Sequence, residues 1–362
     1  MNKHGAHRYA RAIIDLAAIR HNYALLKQKS ANKKLIAVVK ADAYGHGAVA
    51  VARALPHADA FAVATVAEAV ALRQADIKQK ILVLGGVIQA SELQICIEQQ
   101  LDPVIHQPVH LDYLKNIKDL HGLQIWVKID SGMGRLGYQP GQITDVLEQL
   151  GQLPTLGQIR LMTHLASADN ITSKFSAQQL AVIKSCALQD YEWGIANSAG
   201  ILGWPDTYQT WVRAGIAMYG ANPMSDRKQT VIELQPAMRM TTRILAVNFH
   251  KKGDFIGYGN TYQCPQDMTI AVIAAGYADG YPRLKIQTAQ IKINHQLCDI
   301  VGRVSMDMIT VDVSTVSNPR VGDEVILFGD EPDANDVADC SGTIAYEIFC
   351  NVGAHVRREY LQ

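Results

Sequence analysis

The sequence predicts an α/β protein, with a (β/α)8 TIM-like barrel followed by a mostly antiparallel β domain. Three observations support this fold class. Short apolar runs alternate with helical patterns from about residue 30 to residue 220, strand patterns dominate after Pro236, and polar residues directly follow the barrel strands. The 362 residues are 48% hydrophobic and 19% charged, which is typical of a compact protein with a sizeable core. We expect the barrel over residues 8–235 and the β domain over residues 236–362.

Eight apolar runs predict the barrel strands, because each run is short and a helix-length segment separates it from the next. The predicted strands are Leu35–Val39, Ala60–Val63, Ile81–Leu84, Pro103–Ile105, Gln124–Ile129, Ile159–Thr163, Glu192–Ala196 and Trp211–Arg213. Amphipathic stretches between them predict helices, the clearest of which are Val66–Ala75, Ala90–Gln99, Ile143–Leu150 and Ser173–Cys186. Eight repeats within about 190 residues indicate a closed barrel.

After Pro236 the pattern is typical of an antiparallel β domain, with few helical stretches between the strands. The predicted strands are Thr241–Asn248, Thr269–Ala274, Lys285–Ile293, Ile309–Val313 and Glu324–Phe328, and helices are expected at Asn335–Ala338 and Thr343–Cys350. Near the amino terminus, Arg11–Asp15 predicts a strand before the first helix, Leu16–Lys29. This strand can join the β domain and bring the two ends of the chain together.

The charge balance argues against a nucleic-acid or membrane partner. The chain has 34 basic and 34 acidic residues, and no apolar run approaches the roughly 20 residues that a spanning helix needs. The first residues lack the apolar stretch of a signal peptide, so we expect a cytoplasmic protein. The six cysteines are scattered and no Cys/His cluster has metal-ligand spacing, which predicts reduced thiols and no metal site.

Polar residues are concentrated just after the predicted barrel strands. Lys40 follows the first strand, the segment 130–135 (Asp-Ser-Gly-Met-Gly-Arg) the fifth, and His164 the sixth. Asn197-Ser198 follows the seventh strand, and the segment 213–216 (Arg-Ala-Gly-Ile) belongs to the eighth. Because the carboxyl ends of barrel strands form one mouth, where such enzymes place their active sites, this arrangement favours an enzyme.

The residues at this mouth indicate a particular cofactor. A lysine at an apolar strand end is the type that forms a Schiff base with a carbonyl or with pyridoxal phosphate, although Lys40 can also be a strand-end lysine that extends to water. Ser198 and the amides of Gly215 and Ile216 match a barrel phosphate site, although a plain strand-to-helix turn is the alternative. Together, the lysine and the phosphate site predict pyridoxal 5'-phosphate.

Eight motifs in order resemble those of the alanine racemase family, from about Ile13 to Tyr360. They are A-V-V-K-A-D-A-Y-G-H-G (37–47), K-I-D-S-G-M-G-R-L-G (128–137), N-S-A (197–199), R-A-G-I-A-M-Y-G (213–220), G-Y-G-N-T-Y (257–262), G-Y-A-D-G-Y (276–281), G-R-V-S-M-D (302–307) and A-Y-E (345–347). The resemblance implies a pyridoxal-phosphate enzyme that interconverts L-alanine and D-alanine, either for peptidoglycan or for alanine catabolism.

The resemblance also implies roles for individual residues. Lys40 carries the cofactor and acts as one of two bases. The cofactor-binding positions are Tyr44, His164, Asn197, Ser198, Arg213, Gly215, Ile216 and Tyr346. Arg213 faces the pyridine nitrogen, and because a guanidinium does not release its proton, the ring is a weaker electron sink, which suits simple proton exchange. A structural ion pair is the alternative role for Arg213.

Inversion of a carbon requires a base on each face, and the second base is expected to be a tyrosine. Tyr258 and Tyr277 both lie in glycine-flanked turns, and the sequence alone does not choose between them. The resemblance assigns this role to Tyr258, linked through His164 to Arg213, and places Tyr277 at the entrance. It further implies a homodimer in which Tyr258 and Met306 reach the partner's site.

The remaining expected positions surround the substrate. The resemblance makes Arg135 and Met306 substrate contacts, and it makes Lys128 a position for carbamylation, with a surface Lys128–Asp130 pair as the alternative. The expected gate and supporting residues are Asp169, Tyr277, Arg283, Arg303, Asp307, Ile344 and Tyr346, where surface charge is the alternative for the two arginines.

Two other functions compete with this interpretation. One is a different barrel-type pyridoxal-phosphate enzyme, either a broad-specificity racemase or a decarboxylase, but a decarboxylase is expected to place an acid rather than Arg213 at the ring nitrogen. The other is a non-catalytic pyridoxal-phosphate-binding protein, which would resemble the barrel alone.

Overall fold

The computed structural model describes residues 8–227, 232–283 and 289–362. After strand β1 (Arg11–Asp15), eight strands form a closed parallel barrel in chain order, and the last pairs with the first. They are β2 (Lys34–Val38), β3 (Ala60–Val63), β4 (Lys80–Val83), β5 (Asp102–Ile105), β6 (Ile125–Lys128), β7 (Ile159–Met162), β8 (Trp193–Gly194) and β9 (Trp211–Ala214). The predicted barrel is confirmed, with shifts of one or two residues at most strand ends.

Helices connect the strands. They are α1 (Leu16–Lys29), α2 (Lys40–Tyr44), α3 (Ala48–Ala54), α4 (Val66–Gln74), α5 (Ala90–Glu98), α6 (Pro108–Lys115), α7 (Ile143–Gly151), α8 (Lys174–Ser185) and α9 (Ser198–Gly203). Local sequence determines several of these helix starts. The Asp15 carboxylate accepts hydrogen bonds from two amides at the start of α1, and Thr65 with Glu68 forms a capping box at the start of α4.

The C-terminal part of the chain is mostly antiparallel. Its elements are β10 (Met238–His250), β11 (Phe255–Ile256), β12 (Tyr262–Gln263), β13 (Met268–Ile273), β14 (Gln290–Ile293), β15 (Gln296–Asp299), β16 (Ile309–Asp312), β17 (Glu324–Phe328), α10 (Ala334–Ser341), α11 (Ala345–Cys350) and β18 (Arg357–Leu361). The long strand β10 pairs with β1, β13 and β17, so it joins the whole sheet. The predicted strand Lys285–Ile293 is seen only from Gln290, and residues 285–288 lie outside the described ranges.

The two ends of the chain meet in this sheet. Strand β1 pairs antiparallel with β10 and parallel with β18, although β1 precedes the barrel in the sequence. Strand β18 was not predicted, because three of its five residues (Arg-Arg-Glu-Tyr-Leu) are charged and only its pairing with β1 makes it a strand. The domain boundary at residue 235 stays a prediction.

A buried polar network fills the amino-terminal end of the barrel. Arg160 is only 4% exposed, and it donates hydrogen bonds to Glu192 (2.7 Å) and Gln124 (2.9 Å). Its guanidinium also lies within 6 Å of the rings of Trp126 and Trp211. Because side chains fill this end of the barrel, we expect a ligand to bind at the opposite, carboxyl-terminal end. Among the helices of the described ranges, none is both long and apolar enough to cross a bilayer.

Strand β1 lies between β10 and β18 and so connects the two ends of the chain. We therefore expect its buried side chains to contribute to the free energy of unfolding. Ile14 in β1 is completely buried, whereas Ile13 is half-buried. Ile14→Ala should lower the free energy of unfolding by about 2–5 kcal/mol, since it leaves a cavity in the core. A urea titration measures this loss, with Ile13→Ala as the matched control. Equal losses in the two variants would show that β1 does not pack as described.

Candidate active site

A cavity of about 280 Å³ opens at the carboxyl-terminal end of the barrel. Its lining contains the expected substrate contact Arg135, the expected carbamylation position Lys128 and most of the predicted cofactor-binding positions, which are Lys40, Tyr44, His164, Asn197, Ser198, Arg213, Gly215 and Tyr346. Barrel segments contribute all of these residues except Tyr346, which comes from α11 of the C-terminal part. Four cations line the cavity and no carboxylate does among the residues that the structure describes. The site therefore favours an anionic ligand.

Lys40 begins a turn with an unusual backbone. The next four residues, Ala41–Tyr44, have φ angles between 51° and 54°, which makes α2 a left-handed turn. Each such residue costs about 1–2 kcal/mol when it is not glycine. Side chains brace the turn: Glu68 accepts a hydrogen bond from the Ala41 amide (2.7 Å), and His46 lies 3.0 Å from two of its carbonyl oxygens. The turn brings Lys40 and Tyr44 to the same cavity.

The Lys40 amine is electrostatically destabilised as a cation. Burial lowers its pKa first, and the positive charge of Arg135 lowers it further. Lys40 also forms no ion pair within 4.0 Å with a carboxylate of the described ranges. More of the amine is therefore neutral near pH 7 than in an ordinary lysine, and a neutral amine is the form that acts as a nucleophile or a base.

Three side chains with hydroxyl groups, Ser198, Tyr44 and Tyr346, line one corner of the cavity. The Ser198 hydroxyl accepts hydrogen bonds from the amides of Gly215 (2.8 Å) and Ala217 (3.4 Å), so its own proton is available to a ligand. The rings of Tyr44 and Tyr346 lie 5.8 Å apart at the same cavity. A Cβ atom at Gly215 would stand 2.8 Å from the Tyr44 hydroxyl oxygen, so this corner needs glycine.

This corner fits a phosphate group, because hydroxyl donors and nearby cations suit an anion. The Gly215 amide donates a hydrogen bond to the Ser198 hydroxyl, and Ile216 is buried and lines a neighbouring cavity. The expected contacts of the Gly215 and Ile216 amides with a phosphate stay a prediction. Asn197 caps α9, where its side-chain oxygen accepts a hydrogen bond from Gly200 (2.9 Å).

Arg213 and His164 form a buried pair at the cavity wall. Arg213 is 3% exposed, and it donates to the carbonyl oxygens of Gly194 (2.7 Å) and Thr163 (2.8 Å). Its Nη2 lies 3.3 Å from Nδ1 of His164. Because a guanidinium only donates, Nδ1 accepts and the imidazole proton lies on Nε2. Burial, followed by the charge of Arg213, holds the pKa of His164 well below its usual value.

The alternative role for Arg213, a structural ion pair, is wrong. No carboxylate of the described residues lies within 4.0 Å of its guanidinium, whose bonds go to carbonyls and to His164. Burial lowers the pKa of Arg213 to about 10, so it remains a cation at neutral pH.

Lys128 is also buried at the site, which contradicts the surface Lys128–Asp130 pair. The Asp130 carboxylate instead accepts hydrogen bonds from the amides of Gly132 (3.0 Å) and Gly134 (3.1 Å), and these shape the loop that carries Arg135. Burial and the charges of Arg213 and Arg135 lower the pKa of Lys128 to about 8. A lysine in this position is poorly stabilised as a cation.

The expected gate residues separate into two groups. Asp169, Ile344 and Tyr346 line a second cavity of about 280 Å³, and Tyr346 is common to both cavities. Arg283 and Arg303 are exposed in the C-terminal part and line neither of these cavities. Of the seven expected gate and supporting residues, three thus line the second cavity, and Tyr277, Arg283, Arg303 and Asp307 line neither cavity.

The predicted second base does not reach the cavity within one chain. Tyr258 is 68% exposed, and Tyr277 and Met306 are also exposed. Two loops of this region are joined, since the amides of Tyr277 and Ala278 donate to the carbonyls of Ser305 (3.1 Å) and Met306 (3.0 Å). A Cβ at Gly259 would meet Arg303 at 3.0 Å, so the Tyr258 turn adjoins them. We name the exposed surface formed by Tyr258, Tyr277, Arg303, Met306 and Asp307 the β-domain face.

Sequence reasoning missed several supporting residues. Gln179 in α8 donates to the Ser131 hydroxyl (3.1 Å) and to the carbonyl of His164 (3.0 Å), which joins two active-site loops. Glu68 and His46 brace the left-handed turn. The sequence contains the capping-box pattern of Thr65 and Glu68, but this pattern predicts a helix start and not the contact of Glu68 with the turn. No local pattern marks Gln179, whose partners are distant in sequence.

Comparisons with known proteins agree with this geometry. Residues 14–223 match the family model described as "Alanine racemase, N-terminal domain", and residues 237–360 match "Alanine racemase, C-terminal domain". An alanine racemase of Nitrosococcus oceani is 39% identical over 97% of this chain and 99% of its own length. A catabolic alanine racemase of Pseudomonas putida is 41% identical over 98% of this chain and 99% of its own.

Solved structures give the same result. The biosynthetic alanine racemase of Pseudomonas aeruginosa superimposes with a TM-score of 0.94 at 36% identity, covering 98% of this chain and 100% of that one. An alanine racemase of Bartonella henselae, solved with covalently bound pyridoxal phosphate, has a TM-score of 0.87 at 29% identity, with 98% and 99% coverage. The fold, the cavity residues and these matches over nearly the whole length lead to one conclusion: the chain belongs to the alanine racemase family.

Proposed function

We propose that this enzyme interconverts L-alanine and D-alanine, with pyridoxal 5'-phosphate held in the barrel cavity. The observation that carries the proposal is the cavity lining, in which Lys40 and three further cations stand without a carboxylate among the described residues. Such a site suits a ligand that bears both a phosphate and a substrate carboxylate. Family membership over nearly the full length supports the same activity.

The residues present fit this cofactor. Lys40 would hold it covalently, the hydroxyls of Tyr44, Ser198 and Tyr346 would face its phosphate, and Arg213 with His164 would stand beside its ring. When bound, pyridoxal phosphate supplies a conjugated ring that withdraws electrons from the substrate Cα. Because Arg213 donates without releasing its proton, it would leave the ring nitrogen unprotonated and so limit this withdrawal. A shorter-lived negative charge on Cα favours simple proton return.

Two residues would move the Cα proton. We assign one face to Nζ of Lys40, which acts on D-alanine, and the other to the phenolic oxygen of Tyr258, which acts on L-alanine. His164 carries its proton on Nε2, the atom able to donate a hydrogen bond to a phenolate. Arg213 holds His164 in this tautomer. Arg135 would bind the substrate carboxylate in a bidentate manner.

The exposure of Tyr258 supports a homodimer with composite sites. In this arrangement the β-domain face of one subunit covers the cavity of its partner, which brings Tyr258 and Met306 to the substrate. The exposed aromatic and methionine side chains of that face suit burial in such an interface. Tyr277, Arg283, Arg303 and Asp307 would border the entrance beside Asp169 and Ile344.

Two finer assignments complete the proposal. Carbamylation of Lys128 would convert a buried cation with a pKa of about 8 into an anion between Arg135 and Arg213, which relieves their repulsion. The protein is assigned to the cytoplasm, without a nucleic-acid or membrane partner. The product serves peptidoglycan synthesis or alanine catabolism, and the relatives include enzymes named for each role.

The first test removes the cofactor lysine. Lys40→Ala should abolish the absorbance near ~420 nm that a bound cofactor gives and should lower racemisation at least ~1,000-fold, because both the covalent attachment and one base are lost. Chiral chromatography of either alanine enantiomer measures the rate. Lys78→Ala, at an exposed lysine, is the control. Retained colour and activity in Lys40→Ala would contradict the proposal.

The second test asks whether the site is composite. Lys40→Ala and Tyr258→Phe are each expected to be nearly inactive. When they are unfolded and refolded together, half of the dimers become mixed, and each mixed dimer has one intact site, so about a quarter of the activity should return. Sites built from a single chain would give no recovery. The separately refolded variants are the control.

The third test concerns charge. Arg135→Gln should raise the pKa of the Lys40 amine, because a neighbouring cation no longer disfavours its protonated form. The pH dependence of acetylation of Lys40, followed by mass spectrometry in protein freed of cofactor, measures this shift. Arg283→Gln, at an exposed arginine outside the cavity, is the matched control. An unchanged or lowered pKa would show that Arg135 does not act on Lys40.

A further inference from the structure

We propose that Arg358, on the last strand of the C-terminal sheet, is a positioning residue for the cofactor lysine. It holds the left-handed turn α2 in place from the opposite part of the molecule. This inference rests on the proposed role of Lys40 as the residue that carries pyridoxal phosphate. Arg358 itself does not line the cavity, so it acts through the turn.

The guanidinium of Arg358 connects two backbone segments. Its Nε donates to the carbonyl of Gly45 (2.9 Å), which follows the turn in the barrel. Its Nη1 donates to the carbonyl oxygens of Val356 (2.9 Å) and Gly353 (3.0 Å), and its Nη2 donates to the carbonyl oxygen of Val352 (2.9 Å). It forms no ion pair with any carboxylate in the part of the chain that the structure describes. Four of its N–H groups are thus committed to carbonyls, and one of these bonds crosses to the barrel.

The end of the turn fits closely against α11 and β18. Gly45 has a φ of +78°, and a Cβ there would stand 2.4 Å from the carbonyl oxygen of Phe349. Gly47 has a φ of +92°, and a Cβ would stand 2.0 Å from the Tyr360 hydroxyl. Between them, the buried ring of His46 packs 4.9 Å from the ring of Phe349. The C-terminal part therefore encloses the residues that close the turn.

The turn needs this support because its residues do not favour it. Non-glycine residues in the left-handed region persist only where the surroundings impose the conformation. Gly45 donates its own N–H to the carbonyl of Ala41 (3.0 Å), which closes the turn on the neighbour of Lys40. By fixing Gly45, Arg358 fixes this closure, and with it the backbone that presents Lys40 and Tyr44 to the cavity.

Arg358 could instead order only residues 352–356, to which most of its hydrogen bonds go. The experiment therefore separates this local role from support of the turn. Arg358→Gln removes the charge and most donors, whereas Arg358→Lys keeps one donor group. Arg357→Gln is the matched control, since Arg357 is exposed and pairs with Glu359.

Two measurements are made on the full-length holoenzyme. Hydrogen–deuterium exchange follows the amides of residues 40–48, and absorbance after dilution follows the rate of cofactor loss. In Arg358→Gln we expect at least tenfold faster exchange in residues 40–48 and at least fivefold faster cofactor loss. Arg358→Lys should be intermediate, and Arg357→Gln should stay within twofold of the unsubstituted protein.

The proposal is overturned if Arg358→Gln speeds exchange only in residues 352–356 and leaves residues 40–48 and cofactor loss unchanged. If Arg358→Gln does not fold, Arg358→Lys decides by the same criteria. Failure of the proposed function looks different, because the unsubstituted protein would then bind no pyridoxal phosphate. Exchange in residues 40–48 would still report on Arg358 in that case.

Discussion

The electrostatics of the cavity at the barrel mouth depend on four basic side chains that line it, while no carboxylate of the described residues does. Burial and mutual repulsion lower the pKa values of Lys40 and Lys128 and keep His164 neutral. An empty site of this kind is electrostatically unfavourable, and an anionic ligand relieves it. The same charges lower the pKa of Lys40 and so favour its neutral amine, which is the form that the proposed covalent attachment requires.

The backbone brings Lys40 and Tyr44, the proposed contacts of the cofactor and its phosphate, to one cavity. Lys40 and Tyr44 are four residues apart, and a left-handed turn between them costs several kcal/mol at ~1–2 kcal/mol per residue. Glu68, His46 and the packing of α11 offset this cost. Strain at a functional site is thus distributed over contacts from both parts of the chain.

The sequence predicted the barrel because its information is local and repeated: each buried strand is a short apolar run followed by a helix. It predicted where Lys40, His164 and Arg213 lie because strand ends share one mouth. It did not predict β18, whose charged residues become a strand only beside β1. Nor did it predict the left-handed turn, because only Asp42 among its four residues is of a type enriched at positive φ. Contacts between distant residues determine both features, and a single sequence does not display such contacts.

The C-terminal part of the chain has two faces with different tasks. Through Tyr346 and α11 it completes the cavity of its own barrel, and through β18 it packs against the turn that carries Lys40. Tyr258, on the β-domain face, is exposed and does not line that cavity. In the proposed homodimer the C-terminal part of one subunit would therefore contact the Lys40 turn of its own barrel and supply the opposing base to its partner. A single folded unit would then set the position of both proton-transfer groups, each in a different site.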